Sequence, residues 1–295
     1  MSSPLEALLL ANALPSIDGD KHDRGVAVVV AGDVTCPGAA VLAATAVLRA
    51  GAGKVQVLTH PDITTAVGVA VPEALVIGMP PDDRPTGAVR DLVSAADVLL
   101  VGPGMGDGAV DFAAWLAADV PDTSPVVLDA RALPAATRII GRELVLIPNE
   151  QEALELVPSA GDANADDAPI YPDELAVQVA TTYGATVAVR GAETVVTDGR
   201  RVWWHSGHPG LGTAGSGDVV AGLVAGFCAR GVRPLLAVGW AVGAHATAGT
   251  IAAEGTPGYG FLARDVLDAV PRALLDLSKL DLTASTAGGR PGARL

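Results

Sequence analysis

The stretch "VAVVVAGDVTCPGAAVLAATAVLRAGAGKVQV", residues 26–57, decides the fold class. It opens on a β-rich apolar run, Val26–Ala31, and breaks at Gly and Pro. An Ala/Leu-rich segment with helical spacing follows over 38–50, and a second apolar run closes it at Val55–Thr59. Continuous apolar runs bounded by turn residues suit strands buried on both faces, the environment of a parallel sheet. The rhythm repeats downstream in Val98–Val101, Val126–Asp129, Leu144–Ile147 and Val187–Arg190, with helical segments at 108–118 and 150–156 between them. Such alternation predicts an α/β sandwich around a mostly parallel sheet.

Later the pattern changes. "ETVVTDGRRVWWHS" (193–206) reads as a hairpin turning at Asp198–Gly199. Helices are predicted at about 218–230, 235–253 and 263–276. Residues 158–169 read as a polar surface loop, and the C-terminal stretch from 278 to 295 as a disordered tail. No internal repeat occurs, and residues 1–277 are expected to form one domain.

Composition narrows the function. Half of the 295 residues are hydrophobic but only 3% are aromatic, so the core must be built mainly from Ala, Val and Leu. A net charge of −14 argues against a nucleic-acid partner, which needs clustered Lys and Arg. Anionic ligands would have to be held by backbone N–H groups and a few local cations. The two cysteines, Cys36 and Cys228, lack metal-ligand spacing and read as small buried hydrophobes. The N-terminus has no basic region ahead of its short apolar stretch, so no signal peptide is expected. Leu235–Ala253 carries no formal charge and approaches the roughly 20 residues of a membrane span, yet its Ala, Gly and Thr content and His245 favour a buried helix. A cytoplasmic protein without a membrane partner is expected.

The chemistry concentrates in "LGTAGSGDVVAG", residues 211–222. Its glycines can turn consecutive N–H groups into one concavity, and a helix starting near Asp218 would add its dipole to an anion site. A carboxylate there is a poor phosphate ligand but a suitable base for a hydroxyl attacking a phosphoryl group. Asp218 could equally be a plain helix N-cap. "GAGKV" (51–55) lacks the Walker spacing, and "LLVGPGMGDGAV" (99–110) is a weak dinucleotide fingerprint, although Gly102, Gly104 and Gly106 suit close backbone approach to a ligand. In "LIPNEQEALEL" (146–156), Asn149 and Glu152 share a helical face. They could hold a hydrated Mg²⁺, or simply form an acidic first turn favoured by the helix dipole.

Together the glycine loop and the "PNEQE" turn resemble the ribokinase-like superfamily, and within it the ADP/ATP-dependent NAD(P)H-hydrate dehydratases. The resemblance runs from about Lys21 to Leu277. It is carried by residues 21–57, "VGPGMG" (101–106), "VVLDARAL" (126–133), "VRGAETVV" (189–196), "GHPGLGTAGSGDVVAG" (207–222), "GAHATAG" (243–249) and "ARDVLDAVP" (263–271). It implies a three-layer αβα sandwich and repair of hydrated NADH or NADPH, by phosphorylation of the ring hydroxyl from ADP or ATP with Mg²⁺ and loss of the phosphate. A sugar or vitamin-precursor kinase of the same fold, or a nucleotide-binding protein without turnover, are the alternatives.

By position, the resemblance makes Asp218 the base and Gly215, Ser216 and Gly217 the anion hole. Ala39, Gly104 and Asn149 would lie against the dinucleotide, with Gly106 and Asp218 completing that face. Arg190, Gly191, Ala192, Glu193 and Thr194 would line the adenine nucleotide together with Gly217, and Asn149 and Glu152 would reach Mg²⁺ through water. The family habit, with the uncharged stretch around Leu235–Ala253, suggests a homo-oligomer. The epimerase domain often fused ahead of this one is expected to be absent. Departures from the family pattern occur where its "HPGE" is "NEQE", its "KG" is Arg190–Gly191, its "AGS" serine is Asp33, its tyrosine before "GA" gives way to Cys36–Pro37, and its "DAD" is "DAR".

Overall fold

A computed structural model describes residues 4–15, 20–79, 84–157, 171–256 and 259–279. The expected loop at 158–169 and the tail from 280 onward lie outside the described residues. Its first half contains α1 (Pro4–Leu10), β1 (Val26–Val30), α2 (Pro37–Arg49), β2 (Lys54–Thr59), α3 (Thr64–Ala70), β3 (Leu75–Gly78), α4 (Gly87–Ser94), β4 (Val98–Val101), α5 (Ala109–Ala117) and β5 (Val126–Leu128). Then come β6 (Leu144–Leu146), α6 (Glu150–Leu156), α7 (Pro172–Tyr183), β7 (Thr186–Val189), β8 (Glu193–Thr197), β9 (Val202–Ser206), α8 (Ser216–Ala229), α9 (Pro234–Gly255) and α10 (Ala263–Ser278).

The strands form one sheet in the order β3-β2-β1-β4-β5-β6-β7-β8-β9. Pairing is parallel from β3 to β7 and antiparallel across β7, β8 and β9. Side chains alternate across a strand, and the buried runs show it residue by residue. Ala27 and Val29 of β1 join one core layer with Val98 and Leu100 of β4, beneath α1, α2, α3, α8, α9 and α10. Val28 and Val30 face the other layer with Leu99 and Val101, beneath α4, α5, α6 and α7. The expected three-layer αβα sandwich is the observed fold.

Helices α2 and α8 pack unusually closely. A Cβ at Gly222 would collide with the Ala43 carbonyl oxygen and lie 2.6 Å from the Ala46 Cβ. One at Gly226 would lie 2.6 Å from both the Val47 carbonyl oxygen and the Ala50 Cβ. The two helices run parallel, because increasing numbers on one meet increasing numbers on the other. Their N-termini therefore open side by side at the C-terminal ends of the parallel strands.

Some expectations need correction. Helix α8 begins at Ser216, two residues before Asp218, because Gly215 takes the cap with φ +85°. Cys36 is exposed, unlike buried Cys228, because it caps α2 on the surface loop after β1. Among the described residues α9 alone is long and apolar enough to cross a membrane, and 72% of its apolar window is buried. Gly243 admits Leu9 of α1, and the Trp240 indole donates to the Asn12 carbonyl at 3.0 Å. The missing charges of α9 are thus explained within one chain and need no second copy.

Gly222→Val tests the α2–α8 contact. Overpacking costs about 1–3 kcal/mol, and here the obstacle is backbone, which cannot swing aside. A Tm loss of at least several degrees is expected by scanning calorimetry, at roughly 2–4 °C per kcal/mol for a chain of this size. An unchanged Tm would mean that the helices can separate freely.

Candidate active site

The strand ends carry the site in spatial order. Asp129 follows β5, Asn149 follows β6 and Arg190 follows β7; a parallel bridge between Asn149 and Arg190 extends the sheet by one residue. Asp129 is 2% exposed and pairs with the Arg190 guanidinium, Nη2 to Oδ1, at 3.2 Å. The same Nη2 lies 3.7 Å from Glu152 Oε2, and Nε donates to the Ile147 carbonyl at 3.2 Å. Arg190 is thus held from three sides, and its guanidinium rests against Gly217, where any Cβ would strike it. Among the described residues Ala130 is the only non-glycine with positive φ, +48°. Such local strain beside a buried acid marks a held functional geometry.

The glycine loop delivers the N-terminus of α8 to this cluster. The first-turn N–H groups of a helix lack intrahelical partners. The Ser216 N–H is taken by the Thr213 carbonyl at 3.2 Å, and a first turn leaves those of Gly217 and Asp218 directed out of the helix end. The Ser216 hydroxyl is fixed by His245 of α9, with Oγ 2.9 Å from Nε2. Burial, helped by repulsion from Arg190, lowers the His245 pKa to about 4, so its ring is neutral at pH 7.

Asp218 is half-buried in the first turn of α8 and makes no capping bond. Its pKa is raised to about 6, first by desolvation and then by the nearby Asp129, with Arg190 opposing. Burial likewise raises the Asp129 pKa, against the pull of Arg190. A carboxyl poised near neutrality suits a general base.

A cleft of about 510 Å³ opens beside this cluster. Of the expected residues it is lined by Asn149, Arg190, Gly191, Ala192, Thr194, Ser216 and Gly217. Glu193 is outside its wall, accepting from the Ser206 hydroxyl at 2.8 Å. On the other side of the loop, Gly215 sits against Leu42 of α2, and Ala39 of α2 touches Gly104. Gly106 lies against the Asp33 carboxylate instead of in the cleft. Asp218 is itself outside the cleft wall; it follows the cleft-lining Gly217, and its Oδ2 lies beside Gly215.

Asn149 and Glu152 form a reciprocal capping box for α6. Asn149 Oδ1 accepts from the Glu152 N–H at 2.9 Å, and Glu152 Oε2 accepts from the Asn149 N–H at 2.8 Å. That engages one oxygen of each side chain and leaves the second carboxylate oxygen of Glu152 for a ligand. No group of three metal-ligating side chains occurs among the described residues. This donor set fits Mg²⁺, which keeps its waters and is bound largely through substrate phosphates.

Several contributors were not anticipated from the sequence. Asp129 reads as the end of an apolar strand, His245 is submerged in an uncharged helix, and of the further cleft-wall residues Thr213 and His208 fall in the 207–222 stretch without a role of their own, while His205 lies in the hairpin. The charged residue closing "VVLD" was the available signal for Asp129.

The raised pKa of Asp218 has a stability consequence. An acid whose folded-state pKa exceeds its unfolded value of 3.8 favours the fold while protonated, and that contribution is lost as pH rises through about 6. Asp218→Asn should match wild type below about pH 4 and equal or exceed its Tm above pH 6. The gain is at most about 3 kcal/mol, less roughly 0.3–1 kcal/mol of helix-dipole attraction. A Tm lowered equally at every pH would make Asp218 a structural cap.

The comparisons with known proteins agree with this geometry. A family model described as NAD(P)H-hydrate dehydratase matches residues 27–272. The ADP-dependent (S)-NAD(P)H-hydrate dehydratase of Xanthomonas campestris is 40% identical over 277 residues, covering 91% of this chain and 94% of that one. A bifunctional NAD(P)H-hydrate repair enzyme of Moorella thermoacetica is 32% identical over 288 residues, 92% of this chain, but the match spans only 53% of that longer protein. The fold is shared with the Bacillus subtilis ADP/ATP-dependent NAD(P)H-hydrate dehydratase co-crystallized with ATP/Mg²⁺, at TM-score 0.76 and 23% identity, covering 94% of this chain and 99% of that one. On the match of residues 27–272 and the 40% identity over nearly its whole length, the chain belongs to the NAD(P)H-hydrate dehydratase family.

Proposed function

We propose that the protein dehydrates hydrated NADH or NADPH at the expense of ADP or ATP, with Asp218 as the base. One observation carries this reading: Asp218, a carboxyl whose pKa burial raises to about 6, stands with the Arg190–Asp129 pair at the N-terminus of α8, where Arg190 and Gly217 line the cleft. The adenine nucleotide occupies the cleft, with Arg190, Gly191, Ala192 and Thr194 along it and its transferable phosphate at Gly215–Gly217. The hydrated dinucleotide lies against Ala39, Gly104 and Asn149. Asp218 accepts the ring hydroxyl proton as that oxygen bonds to phosphorus and the nucleotide's P–O bond breaks. The N–H groups of the α8 first turn and the Arg190 guanidinium hold the charge of the moving phosphoryl. The phosphate then leaves with its ring oxygen, the adjacent ring carbon gives up a proton to the departing phosphate or to water, and the ring double bond is restored. Mg²⁺ would come with the nucleotide and neutralise phosphate oxygens, and Glu152 would be the carboxylate that meets its waters.

Supporting readings accompany this one. The single sheet favours residues 1–277 as one domain. Two unpaired cysteines, one exposed, suit a reducing cytoplasm. A homo-oligomer, as the family habit suggests, completes the proposal.

Hydrated NADH or NADPH with Mg²⁺ and either nucleotide should regain the absorbance of the reduced nicotinamide, with one nucleoside phosphate bond consumed per dinucleotide repaired. The rate should rise with pH through about 6, as Asp218 loses its proton, and Asp218→Asn should lower it by about 10²–10⁴-fold. An inert hydrate alongside active phosphorylation of a sugar or vitamin precursor would make the protein a kinase.

Glu152→Gln is a separate test. Gln can keep the capping box, so the change isolates the charge. The Mg²⁺ concentration for half-maximal rate should rise while the unfolding free energy stays within about 1 kcal/mol of wild type. An unchanged metal dependence would leave Glu152 with only its capping bond and its contact with Arg190.

A further inference from the structure

A second, half-open cavity of about 30 Å³ lies at the C-terminal ends of β1, β2 and β4. Its floor is apolar, with Leu58, Met79 and Phe112, and its polar wall carries Thr59, Asp33 and Gly106. Thr59 is 4% exposed, and its hydroxyl has no hydrogen-bond partner among the described residues. That hydroxyl lies beside Gly32, another residue of the wall. A buried hydroxyl left unpaired is costly, so this wall is built to receive a polar group. Asp33 spends Oδ1 on the Val34 N–H at 2.6 Å and turns Oδ2 toward Gly106.

The position of the cavity says which group. Strand β2 is three places from β5 in the sheet, about 14 Å at the usual strand spacing, and β5 carries Asp129 beside the reacting centre. The path between them passes Gly106, Gly104 and Ala39, the face already read as the dinucleotide's. A dinucleotide whose ring meets Asp218 must extend its other half along these strand ends.

The local charge says what it excludes. Asp33 and Asp107 line the cavity, and the imidazole of His60 beside them is tied to Asp62, accepting from its N–H at 3.3 Å. Arg131 pairs with Asp107 at 4.0 Å and is not part of the wall. A cavity of this size, with an unpaired hydroxyl and a carboxylate, takes sugar hydroxyls and repels a phosphate.

Resting on the proposed function, we infer that this cavity binds the hydroxyl edge of the distal ribose of the dinucleotide, through Thr59 and Asp33, and that Asp33 makes the enzyme select hydrated NADH over hydrated NADPH. The ribose hydroxyl donates to the free Asp33 oxygen, and the Thr59 hydroxyl pairs with its neighbour. The extra phosphate of the NADPH form would meet a like charge in a space made for a hydroxyl.

The test is kcat/KM for both hydrates with the full chain, in wild type, Asp33→Ser, Asp33→Asn and Thr59→Val. Wild type should favour hydrated NADH by about tenfold or more. Both Asp33 variants should bring the ratio toward one, mainly through a lower KM for hydrated NADPH; Asp33→Asn keeps the size and removes only the charge. Thr59→Val should raise KM for both hydrates with little change in kcat. The wild-type ratio alone reads the inference if a variant fails to fold. Equal use of the two hydrates by wild type, or a ratio that Asp33→Asn leaves unchanged, overturns the inference and spares the proposed function. Turnover of neither hydrate overturns both.

Discussion

The contact of α2 with α8 sets the geometry on which the rest depends. Gly222 and Gly226 let the α8 backbone approach Ala43, Ala46, Val47 and Ala50 more closely than any side chain would allow. An Ala-rich α2 is the necessary partner, since larger residues would hold the helices apart. Because both helices lean on the same parallel strands, their N-termini emerge together. The glycine loop is consequently carried by packed core instead of a free surface loop, and small displacements of phosphoryl donors are expensive in rate. The low aromatic content has a structural reason here: a core of Ala, Gly and Val permits this close approach.

On the proposed function, a chain with a net charge of −14 would hold phosphates with very few cations. Arg190 is one such cation, fixed by Asp129, Glu152 and the Ile147 carbonyl; backbone N–H groups supply the remainder. The acids that hold Arg190 also act on the base. Asp129 pushes the Asp218 carboxyl upward, Arg190 draws it down, and burial decides the balance near 6. Removing Asp129 would therefore disturb two functions together, the placement of Arg190 and the basicity of Asp218. On the proposed function, the fold tolerates a destabilising carboxyl there because the chemistry would use it.

Much of this was legible in the sequence, for physical reasons that can be stated by residue. The runs at Val26, Val55, Val98, Val126, Leu144 and Val187 are buried on both faces, and that environment demands unbroken apolar residues. The edge strand β3 escaped notice because one side of it is open: Leu75 is half exposed and Gly78 closes it. Helix α7 was also missed, since its Pro172, Asp173 and Glu174 start follows a polar stretch with no apolar period of its own. In the site, Asp218 announced itself by its glycines. Asp129, His245 and the Thr59 cavity are assembled from residues far apart in the chain, and only strand order brings them to the same edge.

The departures from the family pattern fall on two different parts of that edge, and their physical consequences differ. Near the reacting centre, Arg190 keeps a positive charge and adds a fork that can grip Asp129 while facing the loop. Asn149 exchanges a titratable ring for a cap that fixes the first turn of α6. Arg190 thus keeps a cation beside the glycine loop, as the proposed phosphoryl transfer would need. Asp33, at the far end, places a negative charge where the family has a neutral serine, and it does so beside Gly106 and an unpaired buried hydroxyl. Asp33 follows β1, two strand positions from β5, so on the proposed function its charge bears on which dinucleotide settles along the strand ends more than on proton transfer at Asp218, and selectivity and catalysis would be separate properties of one sheet edge.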